Sequence, residues 1–282
     1  MEKKLKKLNL VDIFSIAAGA MISSGIFIIP GLAFKEAGPS ILFSYVIAGV
    51  LAFTGLLSIS ELSSAMPKSG GDYYYITRSL GPMVGTVSGL SSWFALCLKS
   101  SFALIGIAEF GIFFFNFDIR FVAVIFSVIF TIINIFGAKK AGRTQVGMVI
   151  FVLFFISVFS FTTFKHVNPN HFKPFAPHGF SAMIATAGYV FVSYGGLLKI
   201  AGMAEEVDDP SKKIPQGLLI SLVSVMFIYL TTIFLIIGVL PGNLLSGSLT
   251  PVSDAANVSS GRSWSYLFAF VAVIAFFATA NA

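Results

Sequence analysis

Long apolar stretches follow one another along almost the whole chain, and the polar residues fall mainly between them. Eight of these stretches are close to the roughly 20 residues that a helix needs to cross a bilayer. Most are bounded by charged or turn-forming residues, so each predicts a membrane-spanning helix. The predicted spans are Leu10–Phe34, Ile41–Ser63, Val84–Phe115, Phe121–Phe136, Val146–Phe164, Phe180–Met203, Ile214–Leu240 and Trp264 to the end. The pattern therefore predicts an all-α polytopic membrane protein.

Composition supports the membrane class. Hydrophobic residues make up 56% of the chain and charged residues only 11%, whereas soluble domains carry about 25% charged residues. The single cysteine, Cys97, excludes an internal disulfide and a cysteine-based metal set. The last stretch is still apolar at Ala282, with no basic residue after it. We therefore expect a chain truncated within its eighth span.

The basic residues predict an orientation. The net charge is +6, and in a membrane protein this excess indicates topology rather than nucleic-acid binding. With the N-terminus in the cytoplasm, eleven of the 18 Lys and Arg residues lie inside, five lie outside and two lie within spans. The eleven are Lys3, Lys4, Lys6, Lys7, Lys68, Arg78, Lys139, Lys140, Arg143, Lys212 and Lys213. Since Lys and Arg collect in cytoplasmic loops, we expect a cytoplasmic N-terminus.

Two apolar spans are interrupted by small residues. The first contains "GAMISSGIFIIPG", residues 19–31, and the sixth contains "SYGG", Ser193–Gly196. Glycine and proline are poor helix formers, and small residues also allow membrane helices to pack closely. The two spans lie five apart in the chain and run in opposite directions. This arrangement favours a transporter with inverted repeats and a binding site between two broken helices.

Broken helices offer groups that suit an amino acid. The free N–H groups at the start of a half-helix favour a carboxylate. The free carbonyls at the end of the other half suit an ammonium group. The pattern therefore predicts an amino acid as the ligand.

Three motifs together resemble one family. "GAMISSGIFIIPG", "ELSSAMPKSGGDYYYITRSLGP" and "FVSYGGLLKIAGMAEEVDDPSKKIP" resemble the first helix, the first intracellular loop and the sixth helix of the amino acid–polyamine–organocation (APC) superfamily of permeases. The resemblance implies a five-plus-five inverted-repeat fold with discontinuous first and sixth helices. It also implies one transmembrane domain over residues 1–282, with a first repeat at about 10–164 and a partial second repeat at about 180–282. The implied function is secondary active transport of an amino acid by alternating access.

The resemblance also assigns residues to the substrate site. By their positions in the motifs, the first-span residues meet the substrate carboxylate or offer a carbonyl to its amino group, and the sixth-span residues supply carbonyls and aromatic bulk. The ten residues are Met21, Ser23, Ser24, Gly25, Ile26, Ser100, Phe191, Val192, Tyr194 and Gly195. Where some arginine- and agmatine-exchanging relatives have Trp and Glu, this chain has Val192 and Leu198. A cationic substrate is therefore less favoured than a neutral one.

Lys99 is the candidate coupling group. It lies about 15 residues past Val84, or on the order of 22 Å along a helix. A lysine at this depth costs about 2.5–3.5 kcal/mol and usually faces a cavity or a partner. It could carry a proton or take the place of a sodium ion; alternatively, it is a structural lysine bonded to carbonyls of a broken span. Lys199 is a weaker candidate.

Other functions are less consistent with the sequence. The sequence has no HExxH motif, no nucleotide-binding loop and no Ser–His pair at depth, which argues against an enzyme. The histidines of the loop "KHVNPNHFKPFAPHG" predict solvent exposure rather than a metal site, and no cofactor is expected. An exchanger, and a channel or sensor of the same fold, remain alternatives. We expect a protein of the plasma (inner) membrane carrying a small amino acid with a proton or, alternatively, with sodium; the sequence does not predict the oligomeric state.

Overall fold

In the computed structural model, the described residues are 7–111, 120, 121, 123–125, 127, 128, 132 and 138–281. Within this part of the chain the secondary structure is helical apart from an isolated bridge between Leu8 and Val207. The α-helices are α1 (Leu10–Met21), α2 (Ser24–Phe27), α3 (Ile29–Ala37), α4 (Ile41–Ala65), α5 (Gly71–Leu80), α6 (Pro82–Gly111), α7 (Ala138–Thr163), α8 (Gly179–Phe191), α9 (Leu197–Gly202), α10 (Pro210–Val239), α11 (Gly242–Leu245), α12 (Pro251–Ser260) and α13 (Arg262–Asn281).

Six helical segments of the described chain are long and apolar enough to cross a membrane. They match the predicted second, third, fifth, sixth, seventh and eighth spans, and α3 continues into α4. The first span is divided among α1, α2 and α3. The fourth predicted span falls mostly outside the described residues. The all-α polytopic class predicted from the sequence is confirmed.

The first helix begins at a complete capping box. The Asn9 side chain accepts hydrogen bonds from the amides of Val11 (2.9 Å) and Asp12 (3.0 Å). The Asp12 carboxylate accepts one from the Asn9 amide at 3.0 Å. These contacts satisfy amides that the first turn leaves free, so α1 has a fixed start.

The seventh span begins earlier than predicted. The sequence predicts this span from Ile214 to Leu240. Instead, Pro210 opens α10 and the helix continues through Pro215. Proline fits the first helical position because its missing N–H would have no partner there. Lys212 and Lys213 consequently lie on the first turns of a helix rather than in a loop.

Glycines set the closest helix contacts. A methyl group built on Gly49 of α4 would lie 2.8 Å from the sulfur of Met226 on α10. One on Gly106 of α6 would lie 2.6 Å from the Phe276 ring on α13. Small residues of this kind allow membrane helices to approach each other closely.

The outer face of the bundle is apolar. On α6, the side chains of Trp93, Phe94 and Leu98 are all more than half exposed. Such a surface would be a large apolar patch in water, but in a bilayer it meets lipid. Polar and small residues instead face the interior, where the two interruptions lie.

The connections gather at two opposite ends. At one end, the Gly247 amide donates to the Gly31 carbonyl at 2.9 Å. At the other, the Leu8 amide donates to the Glu206 carbonyl at 2.8 Å, and the Asp208 amide donates to the Leu8 carbonyl at 3.1 Å. This second end also holds the predicted cytoplasmic loop containing Ser69, whose hydroxyl donates to Glu205 at 3.0 Å.

Candidate substrate site between two broken helices

The first span is broken at Ile22 and Ser23. α1 ends at Met21, a turn follows, and α2 begins at Ser24. The Ser23 carbonyl accepts from the amides of Ile26 (3.1 Å) and Phe27 (2.9 Å). These bonds leave the amides of Ser24 and Gly25 without an acceptor among the described residues. The buried hydroxyl of Ser23 likewise has no hydrogen-bond partner there. Three donors are therefore available at this break.

The sixth span is broken between Val192 and Gly196. α8 ends at Phe191, residues 192–194 form one 3-10 turn, and α9 begins after the two glycines. The Gly195 amide donates to the Val192 carbonyl at 3.1 Å. The Ser193 hydroxyl is buried and has no partner among the described residues. α-Helical hydrogen bonding is thus interrupted in both spans, but the sixth span is not unwound, because Val192, Gly195 and Gly196 keep right-handed helical dihedrals.

The two breaks face each other. A methyl group built on Gly25 would lie 2.9 Å from Cβ of Ser193. One built on Gly196 would lie 2.6 Å from the Ala17 carbonyl oxygen. Both interpretations of the small residues therefore hold: they break the helices, and they let the breaks touch.

Two buried tyrosines, Tyr45 and Tyr229, bind carbonyls at the breaks, and a third, Tyr194, binds the backbone of Tyr45. Tyr229 donates to the Met21 carbonyl at 2.7 Å and also lies 3.2 Å from the Ser193 carbonyl. Tyr45 donates to the Gly25 carbonyl at 2.7 Å, and Tyr194 donates to the Tyr45 carbonyl at 3.0 Å. The ring of Tyr229 packs edge-on against the other two, with centroids 5.3 and 5.2 Å away. Unpaired carbonyls are costly at membrane depth, so this tyrosine cluster stabilises the broken backbone.

Sequence analysis assigned a role to Tyr194 but missed Tyr45 and Tyr229. A signal for them does exist, because each is a phenol inside an otherwise apolar span, in "FSYVIAG" and "FIYLTT". Buried tyrosine hydroxyls usually find a partner. The pattern indicates that a partner exists without saying where in the chain it lies.

Lys99 reaches the sixth-span break from α6. A methyl group built on Gly195 would lie 3.8 Å from its Nζ. The Nζ atom is buried and has no hydrogen-bond partner among the described residues. Lys199 on α9 is near enough to repel its charge. The lysine predicted from depth alone therefore lies beside one of the two breaks.

The other predicted site residues divide into two groups. Met21, Ser23, Ser24, Gly25 and Ile26 are buried at the first-span break.

At the sixth-span break Tyr194 is buried, whereas Phe191 and Val192 are 44% and 59% exposed. Ser100 is also exposed, and the side chain of Leu198 lies outside the described part of the chain. The structure thus brings the first-span residues, Tyr194, Gly195 and Lys99 together, and it leaves Phe191, Val192 and Ser100 open on one side.

Comparison with known proteins identifies the family. The family model described as "Amino acid permease" matches residues 8–282. The chain belongs to the amino acid permease family. The chain is 27% identical over 287 residues to the branched-chain amino acid permease BcaP of Bacillus subtilis, covering 93% of this chain and 61% of that protein. An uncharacterized protein of Methanocaldococcus jannaschii is 28% identical, with 93% and 62% covered.

The name of a plant relative states a different class of amino acid from that of BcaP. The cationic amino acid transporter 6 of Arabidopsis thaliana, a chloroplastic protein, is 28% identical to this chain over 93% of this chain and 50% of its own length. The chain thus spans about half to three fifths of the length of these relatives. The family and two of these relatives are named as permeases or transporters rather than enzymes. The apolar helices and the family make the chain an integral membrane protein.

At the end of the chain's bundle that contains Leu8, Glu205 ties the connection after α9 to the connection between α4 and α5. Its carboxylate accepts from the Ser69 amide at 3.2 Å and hydroxyl at 3.0 Å, and lies 3.8 Å from Nζ of Lys68. The hydrogen bonds from Ser69 and, to a smaller extent, the charge of Lys68 hold the pKa of Glu205 below its usual value. We call this group, with the Leu8–Val207 bridge, the end latch.

Proposed function

We propose that the complete protein is a secondary active transporter that carries an amino acid across the plasma membrane by alternating access. The observation that carries the proposal is the pair of facing helix breaks with their unpaired donors. Family membership supports transport of an amino acid, since both the family and its named relatives are amino acid permeases or transporters.

The first-span break would hold the α-carboxylate. The free amides of Ser24 and Gly25 and the Ser23 hydroxyl supply three donors in a buried place. Hydrogen bonds to an ionised carboxylate are roughly twice as strong as neutral ones. Ile26, next in the chain, is fully buried and offers apolar contact to the substrate.

The sixth-span break would hold the amino group. The Met21 carbonyl already accepts from the Ser23 amide at 2.8 Å and from Tyr229, so both of its lone pairs are used in this conformation. The Val192 carbonyl accepts a hydrogen bond from the Gly195 amide and has a second lone pair, and the Gly195 carbonyl belongs to the same interruption. These two carbonyls are therefore the ammonium acceptors that we favour, with Phe191, Val192, Tyr194 and Ser100 around the side chain.

We also propose proton coupling, with Lys99 as the group that gains and loses the proton. Its buried and unpartnered ammonium is costly to keep charged, so its charge depends on what enters the site. Exchange of amino acids and coupling to sodium are the alternatives. Uptake by proteoliposomes of the full-length protein, with and without an imposed pH gradient, separates them.

The orientation and repeats complete the proposal. The end latch joins the N-terminal segment to the connection that carries Lys68 and to the connection before α10, whose first turns carry Lys212 and Lys213. We place this end in the cytoplasm. The first repeat would cover about residues 10–164 and the partial second repeat about 180–282, within one transmembrane domain.

The decisive test removes a hydroxyl that has no protein partner. We expect Ser23→Ala in the full-length protein to leave thermal stability nearly unchanged, because no hydrogen bond to the described residues is lost. The same change should weaken amino acid binding about 10-fold or more, since a hydrogen bond to a charged group contributes about 1.5–3 kcal/mol. Binding is measured with radiolabelled amino acids on the purified protein.

Ser64→Ala is the matched control, because that hydroxyl is also buried without a partner but lies at the far end of α4. Equal affinities in the two variants would contradict the site. If no amino acid of a full panel binds or is taken up, the proposed function is wrong.

A further inference from the structure

The charged neighbour of Lys99 in the sixth span is another lysine, and the tyrosine hydroxyls of the two breaks are already engaged. Lys199 is the charged group that approaches it from the sixth span. The hydroxyls of Tyr45, Tyr194 and Tyr229 all donate to backbone carbonyls. The buried Nζ thus meets no negative charge from the broken sixth span.

The helices packed against α6 add no counter-charge near it. On α5, the Asp72 carboxylate is bound by the hydroxyls of Ser88 and Ser92; Ser92 precedes Lys99 by seven residues, or about 10 Å of helix. α13 carries Arg262 at its start and α2 carries no ionisable residue. Among the described residues, a negative partner for Lys99 is therefore absent.

A buried ammonium without a counter-charge is unstable relative to the neutral amine or to an ion pair. The site proposed above receives a ligand with at least one carboxylate. We propose that Lys99 is the counter-ion for a carboxylate of the bound substrate and takes up a proton as that carboxylate enters. This inference rests on the proposed function, because it assumes that an amino acid binds between the two breaks.

The charge balance follows directly. The empty site holds the neutral amine of Lys99; binding adds one carboxylate and one proton from the bulk, and the amine becomes an ammonium paired with the carboxylate. One proton therefore moves with each substrate, which is the stoichiometry of a symporter. No other bond is made or broken.

Two carboxylates could be the partner. The α-carboxylate is common to all amino acids, but the amides of Ser24 and Gly25 already provide donors for it. In an acidic amino acid, the α-carboxylate would bind those donors, and the side-chain carboxylate would pair with Lys99 beside Gly195. We favour the side-chain carboxylate, and the experiment distinguishes the two.

Glutamate and glutamine are the matched ligands, since they differ only in the side-chain carboxylate. Their affinities for the full-length protein are measured by calorimetry from pH 6 to pH 8.5, where both carboxylates of glutamate stay ionised. Because the complex binds one more proton than its parts, we expect glutamate affinity to fall about tenfold per pH unit wherever free Lys99 is neutral.

Lys99→Met is expected to abolish this pH dependence and to lower glutamate affinity at least about tenfold, with glutamine affinity changed less. Lys99→Arg keeps a permanent charge, so glutamate should still bind but without the pH dependence. Lys165→Met, at an exposed loop lysine, is the control for loss of any positive charge.

The possible outcomes are distinct. If glutamine shows the same pH dependence and loses it in Lys99→Met, the partner is the α-carboxylate and the proposal stands. Affinities that do not depend on pH, or that are unchanged in Lys99→Met, overturn it while leaving the amino acid site intact. If neither ligand nor any other amino acid binds, the proposed function fails and this inference fails with it.

Discussion

Gly25 is part of the first-span break and is also in close contact with Tyr229. A methyl group built there would collide with the Tyr229 hydroxyl oxygen and would lie 2.6 Å from the ring carbon that carries it. Tyr229 in turn binds the Met21 carbonyl. Any side chain at position 25 therefore displaces the tyrosine that stabilises both breaks.

We expect Gly25→Ala to destabilise the protein by about 1–3 kcal/mol, the usual cost of inserting a methyl group into a packed core. Substrate affinity should fall as well, because the backbone at the break would move. Thermal unfolding in detergent measures the first effect and ligand binding the second.

Gly188→Ala is the control, since a methyl group on that glycine of α8 meets nothing within 4 Å. Alanine in an open helical position should be neutral or slightly stabilising. Similar melting temperatures for the two variants would show that Gly25 has no packing role.

At the residue scale, the sequence predicts the two helix breaks but not the residues that bind their carbonyls. Gly25 and Gly196 stand out because glycine is a poor helix former and each lies beside further small residues. The partners of the released carbonyls come from distant positions: Tyr229 lies 208 residues from Met21. Local patterns carry no information on such pairs, so the tyrosine cluster emerges only from the folded chain.

The long helices coincide with the apolar stretches of the sequence. The second span was predicted as Ile41–Ser63 and α4 covers Ile41–Ala65, because an apolar stretch of that length has few alternatives in a bilayer. Prediction fails for short helices. α12 reads "PVSDAANVSS", which is too short and polar to suggest a span, and its helical form depends on packing against its neighbours.

The end latch should respond to pH. The folded pKa of Glu205 is lowered, so its contribution is present above the pKa of the unfolded chain and is lost as the pH falls through the lower, folded value. Hydrogen exchange at the Ser69 amide, which donates to this carboxylate, should therefore be slow near pH 7 and accelerate in acid relative to the intrinsic rate.

Glu205→Gln should remove this acid transition and give faster exchange at neutral pH. Glu206, the next residue, has an exposed side chain, and Ser69 donates to Glu205 instead, so Glu206→Gln serves as the comparison. An acid transition that persists in Glu205→Gln would show that another group controls the latch.

At the scale of the whole molecule, the two ends should face opposite compartments. We expect a cysteine placed at Lys68 to react with a membrane-impermeant maleimide only from the cytoplasmic side, and one at Pro177 only from the outside, in a Cys97→Ser background. The reason is the excess of basic residues at the end that holds Lys68. Labelling of both positions from one side would contradict the proposed topology.

The Leu8–Val207 bridge has a mechanical consequence. α1 and α9 are joined at their ends by the backbone bonds of Leu8 with Glu206 and Asp208, and near the breaks by Tyr229, which spans Met21 and Ser193. Two helices joined at both ends cannot separate at one end alone. They can only tilt together as a rigid pair until the hydrogen bonds at one of the two ends break.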